Sequence, residues 1–265
     1  MIFYSPIEPV YYLLPLIGLI VGFFGTLLGG GGGFIFLPVL VLFYDIPAHT
    51  AVITSLVATL PIGIAGTVGH QRKGNADFRL ARIFMITGLI GAFAGTAMAQ
   101  KISGQSLKSG FGIYCVLMAF FIWMTTRDPQ LKSPALMNFS LFRNRGNIAK
   151  GIFFGFPAGI VTGAFGTSGT APILAGLLSM KVPVKRVVGT SLLVVTINTL
   201  FAIGAHFLVG QIDMTLVLML TVGSLTGAIL GPKVLANIET GRSEKKIRYL
   251  YAGVMALLGI IMIGG

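Results

Sequence analysis

Gly29–Gly33 is a run of five glycines held between two apolar stretches, Ile17–Leu28 before it and Phe34–Phe43 after it. A backbone without side chains has one kind of chemistry to offer, the N–H groups themselves. A short helix that starts just after Gly33 presents unpaired N–H groups and a partial positive charge of roughly +0.5. Such an end attracts anions, and glycine lets a ligand come close to the backbone. A second run, "GTSGTAP" at Gly166–Pro172, has the same outline and adds three hydroxyls. Gly30, Gly31, Gly32 and Gly33, with Gly166, Thr167, Ser168, Gly169 and Thr170, are therefore candidate substrate-binding positions. Small residues also let helices pack closely in membranes, and that is the reading for Gly18, Gly22, Gly88, Gly91, Gly95 and Gly227. No phosphate-loop lysine follows the glycines, which disfavours an ATP-driven pump.

Further along each half lie Thr54 with Ser55, and Thr190 with Ser191, all inside apolar segments. Asn198, eight residues beyond Thr190, can share a helix face with it and is the only amide within an expected span. These join the candidate lining residues, although hydroxyls in apolar helices often bond the carbonyl one turn back instead. His70 and His206 sit near helix ends and are candidate gating or proton-linked groups; the plain alternative is a satisfied polar helix end. All seven acidic residues fall in loops or at span ends, so no mid-span carboxylate is available for a proton or sodium relay. Cys115 is the sole cysteine, and the methionines have no histidine partners, so no metal and no cofactor is expected.

The elements that must position these groups are membrane helices. The chain has 265 residues, 55% hydrophobic and 10% charged, with a mean hydropathy of +0.91, against roughly 25% charged in soluble domains. Met1–Tyr12 contains Glu8 but no Lys or Arg, unlike a cleavable signal peptide. The net charge of +12 suits basic cytoplasmic loops better than nucleic acid. Phe34–Tyr44 and Thr170–Met180, at 11 residues each, are half-length. Omitting both as crossings splits the basic loops 9 against 10; letting each change sides puts 17 of 19 Lys and Arg on one face. That favours about ten crossings with both termini non-cytoplasmic. Trp123, beside Arg127, reads as an interfacial anchor.

Laid on itself at an offset of 136 residues, the chain matches without a gap over about 70 positions. "TSL" at Thr54–Leu56 falls on "TSL" at Thr190–Leu192, His70 on His206, Asp77 on Asp213, and "LIGAFAG" at Leu89–Gly95 on "LTGAILG" at Leu225–Gly231. Five crossings per half require the second copy to be upside down, an architecture of secondary transporters with a mid-membrane site. The expectation is an all-α integral membrane protein: residues 1–126 as the first transmembrane repeat, 127–147 as a cytoplasmic linker and 148–265 as the inverted second repeat. Broken half-helices sit at both glycine runs.

A glycine-rich turn, a proline, a hydrophobic run, a second proline and a downstream "TSL", repeated once, resemble the sulfite exporter TauE/SafE family. The resemblance covers nearly the whole chain. It implies a multi-pass protein of a bacterial or archaeal plasma membrane that exports or takes up small sulfur-containing anions such as sulfite or sulfonates, with the lipid bilayer and an anionic solute as partners and a homo-oligomer as an open option. The second glycine run departs from the first, since Thr167 and Ser168 fill it. Two alternatives belong to different classes. "GTSG" with a distant histidine resembles fragments of rhomboid intramembrane serine proteases, but Ser168 aligns with Gly32 and His206 with His70, which has no nucleophile to match. A receptor or assembly factor without transport is the remaining option.

Overall fold

A computed structural model describes residues 2–28, 32–127, 145–180, 182–207, 211–235 and 242–264. Ten α-helices make up almost all of it: α1 (Leu14–Leu28), α2 (Gly33–Phe43), α3 (Ala48–Arg72), α4 (Phe78–Ala99), α5 (Gly104–Arg127), α6 (Arg145–Phe165), α7 (Thr170–Ser179), α8 (Val184–Phe207), α9 (Met214–Leu235) and α10 (Arg242–Gly264). A helical turn, Pro9–Leu13, leads into α1, and β1 (Ile2–Phe3) pairs in parallel with β2 (Ile212–Asp213). Apolar surroundings offer the backbone no water, so helices that satisfy their own N–H and C=O groups are the economical solution. Among the described residues, six stretches are long and apolar enough to cross a membrane: Pro9–Thr26, Ala48–Arg72, Phe78–Ala99, Gly104–Met124, Gly146–Phe165 and Lys185–Phe207. Shorter apolar helical stretches are Gly33–Phe43, Thr170–Ser179, Met214–Leu230 and Tyr249–Gly264.

The polarity runs inside out relative to a soluble protein. Phe153, Val222 and Leu117 are 71%, 65% and 63% exposed in mid-helix, whereas Thr54, Ser55, Thr190, Ser191 and Asn198 are all 0% exposed. Large apolar side chains on the outside suit lipid, and the hydroxyls lie within. The central helices are α3 and α8, 61% and 67% buried over their apolar windows against 33–44% for the other four long ones.

Four helix pairs build the body around this centre: α1 with α9, α4 with α6, α5 with α10, and α3 with α8. Glycines set the spacing of the first two pairs. Added methyls on Gly18 and Gly22 would strike the α9 backbone, and on Gly223 and Gly227 the α1 backbone. Gly91 and Gly95 meet Phe156 and Ile160 of α6 in the same way, while Gly159 meets the Gly88 carbonyl. The close-packing role read for Gly18, Gly22, Gly88, Gly91, Gly95 and Gly227 is the one they have. Under the 136-residue offset α1 corresponds to α6 and α4 to α9, so the α1–α9 and α6–α4 contacts are counterparts.

Two aspartates start the outer helices. Asp77 accepts from the Arg79 and Leu80 N–H groups at 2.9 and 3.2 Å, and Asp213 from those of Thr215 and Leu216 at 3.0 and 3.5 Å. Each such cap stabilises its helix by about 1 kcal/mol. At the other end of α5, the Arg127 guanidinium lies 4.7 Å above the Trp123 ring, so the expected anchor also carries a cation–π contact. Most of the segment read as a linker, 128–144, lies outside the described residues, and α6 begins at Arg145, two residues before the expected end of that linker.

Candidate substrate site at the paired glycine turns

Both helices that follow the glycine runs are short, α2 with 11 residues and α7 with 10. The chain turns before each of them on a glycine in the left-handed region, Gly32 at φ 78° and Gly166 at φ 64°, a conformation a side chain would strain. Gly30 and Gly31 lie outside the described residues. Gly33, Gly166, Thr167, Ser168, Gly169 and Thr170 are all buried.

The two turns meet. A methyl placed on Gly33 would come 2.8 Å from Thr59 Oγ1, 3.3 Å from the Gly166 carbonyl oxygen and 3.3 Å from the Thr167 α carbon. Gly166 in turn lies against the Val52 carbonyl of α3. Val52, Ser55 and Thr59 recur at helical spacing along α3, and Ser55 lies in the chain between the two residues that make these contacts.

Hydroxyls in this region divide into two sets. Thr59 donates to the Ser55 carbonyl at 2.6 Å, Thr196 to Leu192 at 2.7 Å, Thr162 to Ala158 at 2.9 Å and Thr26 to Gly22 at 3.1 Å. These are the back-bonds expected of hydroxyls in apolar helices. Thr54 Oγ1, Ser55 Oγ, Thr167 Oγ1, Thr199 Oγ1 and both polar atoms of Asn198 are buried and make no hydrogen bond among the described residues. Each such group left unmet costs about 1–3 kcal/mol.

The candidate residues are not equivalent. Thr190 is already engaged, its Oγ1 accepting from the Asp77 N–H at 3.0 Å; it positions the start of α4. The Gly169 N–H is capped by Thr162 Oγ1 at 3.0 Å, and the Thr170 N–H bonds the Ser168 carbonyl at 2.6 Å. Two of the leading amides of α7 are thus spent inside the protein, and the Thr167 hydroxyl is a side-chain donor of the second turn without a partner among the described residues. Its chain neighbours Ser168 and Thr170 are 2% and 5% exposed, and Ser191 on α8 is 0% exposed.

His206 is 3% exposed, and its Nε2 lies 2.7 Å from the Gly163 carbonyl; a carbonyl accepts, so that nitrogen carries the proton. His49, on the first turn of α3, is within electrostatic range of it. His70 is only half-buried, with Nδ1 unbonded and its carbonyl accepting from Lys73 and Asn75. The histidines match in sequence but differ in surroundings.

Asn198 belongs to the α8 face that carries Ser191 and Val195. Its amide lies against Gly88 of α4, where a methyl would come 2.6 Å from Oδ1. Its counterpart in the first half, Ile62, lies against Gly32, its Cδ1 3.5 Å from a methyl placed on that glycine. At one end of α8, a shallow depression of about 340 Å³ is lined by Gly74, Ala76, Asp77, Phe78, Arg79 and Arg186.

Several groups near the turns do not stand out in the sequence. Thr26 and Thr162 are 136 residues apart, so the internal match itself could have flagged them. The rings of Tyr251 and Phe34 approach to 4.6 Å at the start of α2, and those of Tyr114 and Phe165 to 5.9 Å at the end of α6. Nothing in the local pattern announces that α5 and α10 bring aromatics to both turns.

A family profile described as "Sulfite exporter TauE/SafE" matches residues 14–262. The chain belongs to the sulfite exporter TauE/SafE family. Its relatives include the probable membrane transporter protein YunE of Bacillus subtilis, 24% identical over 96% of this chain and 97% of that protein. A probable membrane transporter protein of Xylella fastidiosa (strain 9a5c) is 31% identical over 81% of this chain and 80% of its own length. The probable membrane transporter protein MJ0441 of Methanocaldococcus jannaschii is 25% identical over 95% and 94%. No solved structure matches the chain with significance. The protein is thus a multi-pass membrane transporter of the TauE/SafE family, and a small solute and membrane lipid are its partners.

Proposed function

We propose that this TauE/SafE protein is a secondary transporter that exports small sulfur-containing anions, such as sulfite or sulfonates, by alternating access between two inverted halves. The observation that carries the reading is the meeting of two glycine turns from opposite halves of the chain, with the Thr167 hydroxyl buried there without a partner among the described residues. A solute that accepts hydrogen bonds offsets the cost of that hydroxyl on binding. The reciprocal α1–α9 and α6–α4 packing supports the inverted-repeat arrangement, with ten crossings and non-cytoplasmic termini. In that topology the depression lined by Arg79 and Arg186 opens on the cytoplasmic side, where its guanidinium groups draw anions toward the path. A negative interior then drives anions outward, at about 2.3 kcal/mol per charge per 100 mV. His70 and His206 are the gating groups on opposite faces. The rhomboid reading loses its footing because His206 Nε2 is held by the Gly163 carbonyl. The family's transporters support a transport role without catalysis.

The experiment is reconstitution. Proteoliposomes are assayed for electrogenic flux of sulfite and of small sulfonates under an imposed membrane potential. Anion-dependent current that reverses with the potential is expected; flux of amines or sugars with none of sulfur anions would end the proposal. Replacing either histidine with Gln should flatten the pH dependence of flux, and a wild-type profile in both variants would remove them as gates.

A further inference from the structure

The depression beside the start of α8 has a counterpart in the other half of the fold, and the two places are filled differently. At the 136-residue offset Asp77 and Arg79 correspond to Asp213 and Thr215. Asp213 Oδ1 receives the Ser5 N–H at 3.4 Å, Thr215 Oγ1 donates to the Ser5 carbonyl at 2.9 Å, and Ile2–Phe3 pairs with Ile212–Asp213. That place therefore seats the N-terminal segment of the chain. Its counterpart is the open depression of about 340 Å³, whose lining includes Asp77, Phe78, Arg79 and Arg186.

The charge differs as well. Arg79 answers to Thr215 and Arg186 to Thr50, so both guanidinium groups belong to this place alone. They stand on the first turns of α4 and α8, and neither first turn holds an acidic residue. The positive end of each helix dipole is thus reinforced where an acid would offset it. Asp77, the acidic residue of the lining, is engaged by the Arg79 and Leu80 N–H groups. Two cations at two converging helix starts favour a bound anion.

The rim decides what kind of anion. Phe78, Arg82, Ile86, Ile90 and Phe93 follow one another at three- and four-residue spacing and are all exposed, so they form one stripe on the outside of α4. That helix is long and apolar enough to cross a membrane, and its outward apolar side chains meet acyl chains. Arg82 interrupts the stripe about 6 Å along the axis from Phe78, where its guanidinium must reach back toward the phosphate layer. A soluble anion would use the cations and leave the apolar rim idle. A phospholipid uses both.

We propose that the depression binds the headgroup of an anionic phospholipid: Arg79 and Arg186 hold its phosphate, Arg82 approaches from the lipid side, and an acyl chain lies along the α4 stripe that begins at Phe78. Guanidinium groups meet phosphate oxygens in matched pairs. A zwitterionic lipid offers the same phosphate but brings a cation of its own toward the arginines. The inference concerns lipid and holds whichever solute the protein moves. The drawing of solute anions by the same arginines is then strongest where anionic lipid is scarce.

The test uses the full-length protein in a neutral detergent. It is titrated with phosphatidylglycerol, with phosphatidylcholine of the same acyl chains and with inorganic phosphate. Bound lipid is counted by native mass spectrometry and the thermal midpoint is followed alongside. The wild type should hold phosphatidylglycerol at least about tenfold more tightly than phosphatidylcholine, the discrimination expected of two cations acting on an anionic headgroup. Phosphatidylglycerol should raise the midpoint, and inorganic phosphate at the same concentration should not. Arg79→Gln with Arg186→Gln should bring the two lipids to within about twofold, with the lipid-free midpoint unchanged because both side chains are exposed. Lys101→Gln with Lys108→Gln removes the same charge elsewhere and should keep the wild-type preference. Equal retention of both lipids by the wild type, or stabilisation by inorganic phosphate as large as by phosphatidylglycerol, overturns the lipid assignment even if the arginine variant fails to fold. A preference that survives the arginine replacements, or falls equally with the lysine ones, overturns the placement. None of these readouts involves flux, so the outcome is separate from that of the transport proposal.

Discussion

Gly33 and Thr167 stand against each other in the protein interior, the Thr167 α carbon 3.3 Å from where a side chain on Gly33 would begin. One opens α2 and the other precedes α7, so the contact joins the two glycine turns directly. Gly33→Ala would also crowd Thr59 Oγ1, at 2.8 Å, and push the turns apart. The expected outcome is at least about a tenfold loss of anion flux, because displacements of order 1 Å in a positioned site cost that much or more. Gly204→Ala, where nothing lies within 4 Å of the added methyl, should transport normally. Equal flux in the two variants would show that the turns tolerate separation.

Removing an unpaired hydroxyl and removing a paired one should have opposite consequences. Ser55→Ala and Thr167→Val take away groups that make no bond among the described residues, so stability should stay level or rise by up to about 1 kcal/mol. Thr162→Val uncovers the Gly169 N–H that Thr162 accepts at 3.0 Å and should cost about 1–3 kcal/mol. Thermal unfolding in detergent checks the order. Added sulfite should stabilise Thr162→Val more than Ser55→Ala or Thr167→Val, since only the latter two lose a proposed ligand contact; the reverse order would detach these hydroxyls from the solute.

The interrupted helices were readable because bare backbone inside apolar sequence must either be buried in protein or line a cavity. Their effect on α2 and α7, 11 and 10 residues long, followed. Which hydroxyls are spent was not readable. Thr190 and Thr54 match in sequence, yet Thr190 accepts from Asp77 at 3.0 Å while Thr54 has no partner. That difference depends on a loop 113 residues away, and helical periodicity carries no record of it. The pairing of Ile2–Phe3 with Ile212–Asp213 escaped for the same reason, since two-residue strands leave no alternation to detect.

The histidines supply a contrast in stability as well as in gating. His206 is buried and held to the Gly163 carbonyl at 2.7 Å, whereas His70 is half-exposed with Nδ1 unbonded. His206→Ala leaves that carbonyl only the longer bond from the Thr96 hydroxyl, at 3.5 Å, and opens a void, so it should destabilise by about 1–3 kcal/mol. His70→Ala should stay within about 0.5 kcal/mol of wild type, as surface changes usually do. Denaturation midpoints measured side by side test this. A larger loss for His70 would mean that the sequence symmetry, and not the local packing, governs their roles.

Asp213 and Asp77 cap equivalent helices, but among the described residues only the Asp213 carboxylate receives a further bond from outside its own helix. It is 2% exposed, and its Oδ1 also receives the Ser5 N–H at 3.4 Å, while Thr215 Oγ1 donates to the Ser5 carbonyl at 2.9 Å. The N-terminal segment is thereby tied to the connection between α8 and α9, at the end of α8 that carries His206. Asp77→Ala should cost about 1 kcal/mol through its cap alone. Asp213→Ala should lose its cap and also free the segment, so amide hydrogen exchange at Ile2, Phe3 and Ser5 should quicken about tenfold or more, with those amides unaffected in Asp77→Ala. If exchange there is unchanged by Asp213→Ala, the short parallel pairing and the Thr215 bond hold the segment without the carboxylate.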